Sequence, residues 1–144
     1  WSQVASKLIS NGKILAIDIK NMEPVANIKF LNCDIFDKNT KSQIVDYFKG
    51  DLDVIISDMA ADTTGNKSLD SIRTNQLCSE AIDFSTKILK KNGVFVSKLF
   101  MGDDFIEVKN FAKSKFKEVN FFKPESSRNE SKETYLHCKI LKTL

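Results

Sequence analysis

A chain of 144 residues that is 42% hydrophobic and 28% charged is long enough for one real core and has the charge density of an ordinary soluble domain. Its 22 Lys and Arg against 19 Asp and Glu leave only +3, so a basic face for nucleic acid would have to come from clustering rather than bulk charge. Cys33, Cys78 and Cys138 are odd in number, far apart and without a CxxC, which fits reduced thiols in a cytosol-like compartment better than a disulfide framework or a zinc site.

In chain order, WSQVASKLIS reads as a helix already under way at Trp1 and stopped at Asn11-Gly12. KILAIDI is a short strand ending at Asp18, and NIKFLNCD a second ending near Asp34. TKSQIVDYFKG places Ile44, Tyr47 and Phe48 on one helical face and stops at Gly50. DLDVIISD is an apolar run ending in Ser57-Asp58, and the polar loop MAADTTGNKS follows it. From about Leu69 to Lys90, the spacing of Leu77, Ala81, Phe84 and Ile88 predicts a helix with Asn92-Gly93 as its stop. VFVSKLF is a strand, Phe105, Val108, Ala112 and Phe116 mark another helix, and EVNFFK and TYLHCKIL are strands flanking the polar PESSRNESKE. No apolar run approaches the roughly 20 residues of a membrane span.

Strands alternating with helices predict an α/β fold in one domain over 1–144, a mostly parallel sheet with helices on both faces. The final two strands, with no helix between them, are expected as an antiparallel hairpin at its edge. Ligands of such sheets bind at the C-terminal ends of the strands, where Asp18, Asp34, Asp58 and Lys98 all fall. Asp18 could accept from ribose hydroxyls and Asp34 from an adenine amino group; a strand-end aspartate equally caps a helix or starts a turn. None of the five glycines forms GxGxxG or a phosphate-binding loop.

Lys98, at the centre of VFVSKLF, is the sharper case. A buried ammonium costs several kcal/mol unless paired. It either snorkels to water or sits with company, and Asp58 and Glu133 are the acids at hand. His137 reads as packed rather than catalytic. Lys67, Arg73, Lys123, Arg128 and Lys132, in loops or at element ends, could meet phosphates.

Taken together, WSQ at 1–3, Asp18, NCD at 32–34, SDMA at 57–60, NGVFVSKLF at 92–100 and KPESSRNESKETY at 123–135 resemble the FtsJ/RrmJ family of ribose 2'-O-methyltransferases over the whole chain. The large-subunit ribosomal RNA branch is the nearest, through KPxSSRxxSxExY. The resemblance implies a Rossmann-like methyltransferase fold and S-adenosylmethionine as cofactor, with Trp1, Asp18, Asp34 and Asp58 lining its pocket. It implies Asp58, Lys98 and Glu133 as catalytic residues, and a uridine ribose of the ribosomal RNA or large ribosomal subunit as target. The family's first catalytic lysine and glycine-rich loop would precede Trp1, so an N-terminally incomplete domain is expected. Ala61-Asp62 departs from the Pro-Asn of many members.

On this reading Lys98 takes the hydroxyl proton and should be neutral at the moment of attack, oriented by Asp58, with Glu133 fixing a second cation or the ribose. No metal and no membrane are expected, and the chain is expected to act as a monomer in the bacterial cytoplasm, with an organellar matrix as the other compartment. A non-catalytic RNA-binding or ribosome-assembly module on the same fold is the alternative. A nicotinamide-dependent oxidoreductase ranks a distant third.

Overall fold

A computed structural model of the chain describes residues 1–128 and 130–143; Asn129, inside the KPESSRNESKETY stretch, and Leu144 lie outside the described residues. The chain divides into two compact units, Trp1–Gly50 and Asp51–Leu144.

The first unit contains α1 (Ser2–Leu8), β1 (Leu15–Asp18), β2 (Lys29–Asn32) and α2 (Lys38–Phe48). β1 and β2 pair in parallel, Leu15 opposite Lys29 through Asp18 opposite Asn32. Asp37 caps α2 by accepting from the Asn39 N–H at 2.8 Å. Two helix ends differ from the expected stops. α1 closes at Leu8 with an extended Ile9, before Asn11-Gly12. α2 ends in a left-handed Lys49 (φ 56°), whose N–H reaches the Val45 carbonyl one residue before the expected Gly50.

The second unit contains β3 (Leu52–Ser57), α3 (Lys67–Ile88), β4 (Leu89–Phe100), α4 (Phe105–Lys115), β5 (Phe116–Phe122) and β6 (Glu133–Leu141). Its sheet order is β3-β4-β6-β5. β3 runs parallel to β4, and β6 runs antiparallel to both β4 and β5. The expected hairpin is therefore present, with β5 as the edge and β6 inserted beside β4. Two boundaries move. Phe116, expected on a helix, opens β5 at 1% exposure. Asn92-Gly93, expected as a helix stop, lies inside β4, because α3 yields to strand at Leu89. The register jumps from Leu52 opposite Leu89 to Val54 opposite Val94, so the extra residues of β4 bulge. Gly93 makes that bulge possible: a Cβ there would sit 2.6 Å from Leu89 Cγ and 2.9 Å from the Lys90 carbonyl oxygen.

The core of this unit lies on one face of the sheet. Phe95 and Leu99 of β4 and Leu136 and Cys138 of β6 meet Cys78, Ala81 and Ile82 of α3 and Val108 and Ala112 of α4. Phe95 and Phe116 stack at 6.0 Å between ring centroids. Burial pushes the Cys78 thiol up to about 11 and the Cys138 thiol up to about 12, so both behave as small apolar side chains. β3 stands at the edge of this sheet, and its Val54 and Ile56 are exposed. No helix among the described residues is long and apolar enough to cross a membrane.

Truncating Phe95 would remove a fully buried ring and its stacking partner's contact. Phe95→Ala should cost about 3–5 kcal/mol, read as a lowered midpoint in urea unfolding.

Candidate active site

Strand alternation decides where Lys98 points. Phe95, Ser97 and Leu99 face the core, so Lys98 faces the other side of the sheet. Across the antiparallel ladder Lys98 lies opposite Tyr135, and Phe100 lies opposite Glu133, which puts Tyr135 and Glu133 on the same face as Lys98. On the parallel side Ser57 pairs with Ser97, and Asp58 is the next residue after the strand ends.

Three strands thus converge on one ammonium. Lys98 Nζ stands 2.9 Å from Asp58 Oδ1 and 3.5 Å from Glu133 Oε1. Its side chain is 13% exposed, against 45% for Asp58 and 40% for Glu133. The Tyr135 hydroxyl donates to the same Asp58 Oδ1 at 3.4 Å. Tyr135 is quoted in the sequence motif with no role attached; its place opposite Lys98 is visible only once β4 and β6 are in register.

Burial on its own would depress the Lys98 pKa, but the hydrogen bond and charge of Asp58, then the charges of Glu133 and Tyr135, outweigh it and hold the group above the ordinary lysine value. Burial, then the Asp58 charge, pushes the Tyr135 phenol up in turn. Both acids named beside Lys98 in the sequence stand within reach of its nitrogen, and together they favour its charged form.

The first unit carries Trp1, Asp18 and Asp34. Trp1 is the N-cap residue of α1 and is 48% exposed. Asp18, at the C-terminal end of β1, accepts from the Lys20 N–H at 2.8 Å, and Asp34 accepts from the Phe36 N–H at 2.8 Å. Each aspartate therefore does start a turn with one carboxylate oxygen. Asn32 is a residue of this region given no separate role in the sequence reading, and its Nδ2 ties the Asp18 and Ile19 carbonyls at 3.0 Å each. Such exposed strand-end carboxylates can accept from hydroxyl and amine donors.

Of the basic residues singled out, Lys123 Nζ donates to the Ser131 carbonyl at 2.8 Å, bracing the 123–132 loop. Arg73 Nη1 donates to the Asp62 carbonyl at 3.2 Å, in the loop after Asp58. His137 is half-buried within β6, opposite Val96. Among the described residues no group of three or more His, Cys, Asp and Glu side chains could hold a metal ion.

The parallel β3–α3–β4 crossover with the antiparallel β4–β6–β5 strands makes an open α/β sheet, the fold shared with solved methyltransferase structures. The chain belongs to the FtsJ-like methyltransferase family, whose model matches residues 1–141. It is 45% identical over 142 residues to the ribosomal RNA large subunit methyltransferase E of Pelagibacter ubique, covering 99% of this chain and 70% of that protein. It is 46% identical over 142 residues to the protein of the same name from Rickettsia akari, covering 94% of this chain and 63% of that one. A solved Plasmodium falciparum protein assigned as a ribosomal RNA methyltransferase matches with TM-score 0.78 at 27% identity, over 90% of this chain and 72% of that one. A Streptococcus mutans protein assigned as a methyltransferase and solved in complex with SAH shares the fold, at TM-score 0.52 and 14% identity, over 90% of this chain and 72% of that one.

Because Asp58 raises the Lys98 pKa by both hydrogen bond and charge, Asp58→Asn should lower it. Titration of the Lys98 Cε resonance in ¹³C-lysine-labelled protein reads this directly, and an unmoved midpoint would remove Asp58 as the dominant partner.

Proposed function

We propose that the protein methylates a ribose 2'-hydroxyl of large-subunit ribosomal RNA, a uridine ribose in the finest form of the reading, and that Asp58, Lys98 and Glu133 are its catalytic residues. The single observation behind this is the Lys98 amine, nearly buried on the face of the sheet away from the core and met by acids from two other strand ends. Family membership and the names of the relatives support the substrate class. The bacterial cytoplasm is the compartment that goes with it.

Trp1, Asp18 and Asp34 of the first unit would hold S-adenosylmethionine, which when bound supplies an electrophilic methyl group on a positive sulfur. The chain's own task is then alignment and proton removal. Lys98 takes the proton of the 2'-hydroxyl as a neutral amine, so it must first give up its own. Asp58 keeps the nitrogen on station, and Glu133 holds it from the opposite side. A group kept protonated by two acids makes a strong base in small supply; raising the pH enlarges that supply. Lys123, Arg128 and Lys132, in the loop leading into β6, suit the RNA backbone.

The direct test is incubation of the full-length protein with labelled S-adenosylmethionine and ribosomal particles, with mapping of the modified ribose. Lys98→Ala should abolish turnover and leave cofactor affinity little changed; methylation at the wild-type rate by that variant would refute the role. With the wild type, single-turnover rates should climb about tenfold per pH unit across the neutral to alkaline range while Lys98 remains largely protonated. A flat profile would take proton acceptance away from Lys98.

A further inference from the structure

β3 stops pairing before β4 ends. The last pair is Ser57 opposite Ser97, and β4 runs on to Phe100 with only β6 beside it. Lys98 lies in this overhang. A strand end flanked on one side only has backbone groups to satisfy and frays unless something takes them up.

A side chain does so here. The Phe100 N–H donates to Asn75 Oδ1 at 2.7 Å, and Asn75 Nδ2 donates back to the Phe100 carbonyl at 3.0 Å. The carboxamide thus satisfies both backbone groups of Phe100 that a longer β3 would have met. The same Nδ2 donates to Asp104 Oδ1 at 2.8 Å, at the residue before α4. Asn75 and its neighbour Thr74 are fully buried on α3. Thr74 Oγ1 accepts from the Ala61 N–H at 3.1 Å, in the loop that leaves Asp58, and one turn earlier Asp70 accepts from both the N–H and the hydroxyl of Thr64. α3 also runs hard against the chain leaving β4: a Cβ on Gly102 would collide with Ser71 Oγ.

We infer that Asn75 is a positioning residue for Lys98, and that with Thr74 it sets the separation between the Lys98 amine and the Asp58 carboxylate. One helix holds both of the segments that carry them, by side-chain bonds to the backbone at Phe100 and Ala61. The inference rests on the catalytic reading of Lys98 and Asp58. It explains why a helix position packed against a sheet carries an amide: an unsatisfied buried amide is costly, and this one is engaged at both its oxygen and its nitrogen.

Asn75→Asp keeps the acceptor for the Phe100 N–H, loses both donated bonds and sets a carboxylate against Asp104. In the full-length protein it should lower kcat roughly tenfold to a hundredfold while KM for RNA stays close to wild type. The Lys98 Cε titration should move to lower pH as the amine slips from Asp58. Adding Asp104→Asn to Asn75→Asp restores the link with its polarity reversed, and should recover part of kcat. Thr74→Val, which removes only the acceptor for Ala61, gives the same readouts should Asn75→Asp fail to fold. Unchanged kcat and Lys98 titration in a folded variant would overturn the inference. So would a loss of kcat with the titration unmoved and no recovery on adding Asp104→Asn, since Asn75 would then only support the fold. A wild type that transfers no methyl group to ribosomal RNA would sink the proposed function instead, and the Lys98 titration would still decide whether Asn75 places the amine.

Discussion

A lysine can be held at 13% exposure on a β-sheet only if its charge is answered where it sits, and the second unit is arranged around that requirement. Two carboxylates answer it, one from the residue after β3 and one from the first residue of β6. Glu133 could not do so in another register. A slip of one residue in the β4–β6 ladder would turn Glu133 and Tyr135 to the opposite face and leave the ammonium with Asp58 alone. The apolar core enforces the register, since Phe95, Leu99, Leu136 and Cys138 are buried by the same alternation that sends Lys98 outward. Packing on one face of the sheet therefore fixes the electrostatics of the other.

Much of this was legible in the residues themselves. VFVSKLF is a strand, the hairpin pairs as expected, and Asp58 and Glu133 are the acids that find Lys98. What was illegible has physical causes. The β4 bulge arises from a helix-to-strand change at Leu89 with no breaker before it, so Asn92-Gly93 looked like a helix stop although Gly93 serves a close backbone approach. Lys49 takes a left-handed conformation that glycine would adopt at lower cost, so the eye goes to Gly50. Phe116 continues a helical spacing by accident while its burial belongs to a strand. A continuous apolar run such as DLDVIISD cannot report whether its sheet face is covered, and Val54 and Ile56 are exposed.

The largest omission is on α3. Apolar periodicity finds Ala81, Phe84 and Ile88 in its second half, where the buried stripe is mostly hydrocarbon. In the first half the stripe continues through Asp70, Ser71, Thr74 and Asn75, all buried and all polar. A hydrophobic template scores that half as solvent-facing. The signal was a polar run at core spacing, directly after the loop that leaves Asp58 and in a helix long enough to span the sheet. Such a run is readable as a candidate bonding edge when the neighbouring strands end at different heights, and nothing in a one-dimensional pattern supplies those heights.

On the proposed mechanism, binding and chemistry pull against each other at Lys98. The acids that locate the nitrogen also favour its charged form, so the contacts that would order the site would also make the base scarce. Moving Asp58 away would free the proton and lose the position. If proton transfer is late in the attack, a scarce strong base costs less than a misplaced weak one, because a misaligned reactant loses rate without any compensating gain in basicity. On the proposed mechanism a rigid strand end is then more useful than a depressed pKa, and the buried amide of Asn75 is bonded to the backbone of Phe100 where β3 no longer reaches.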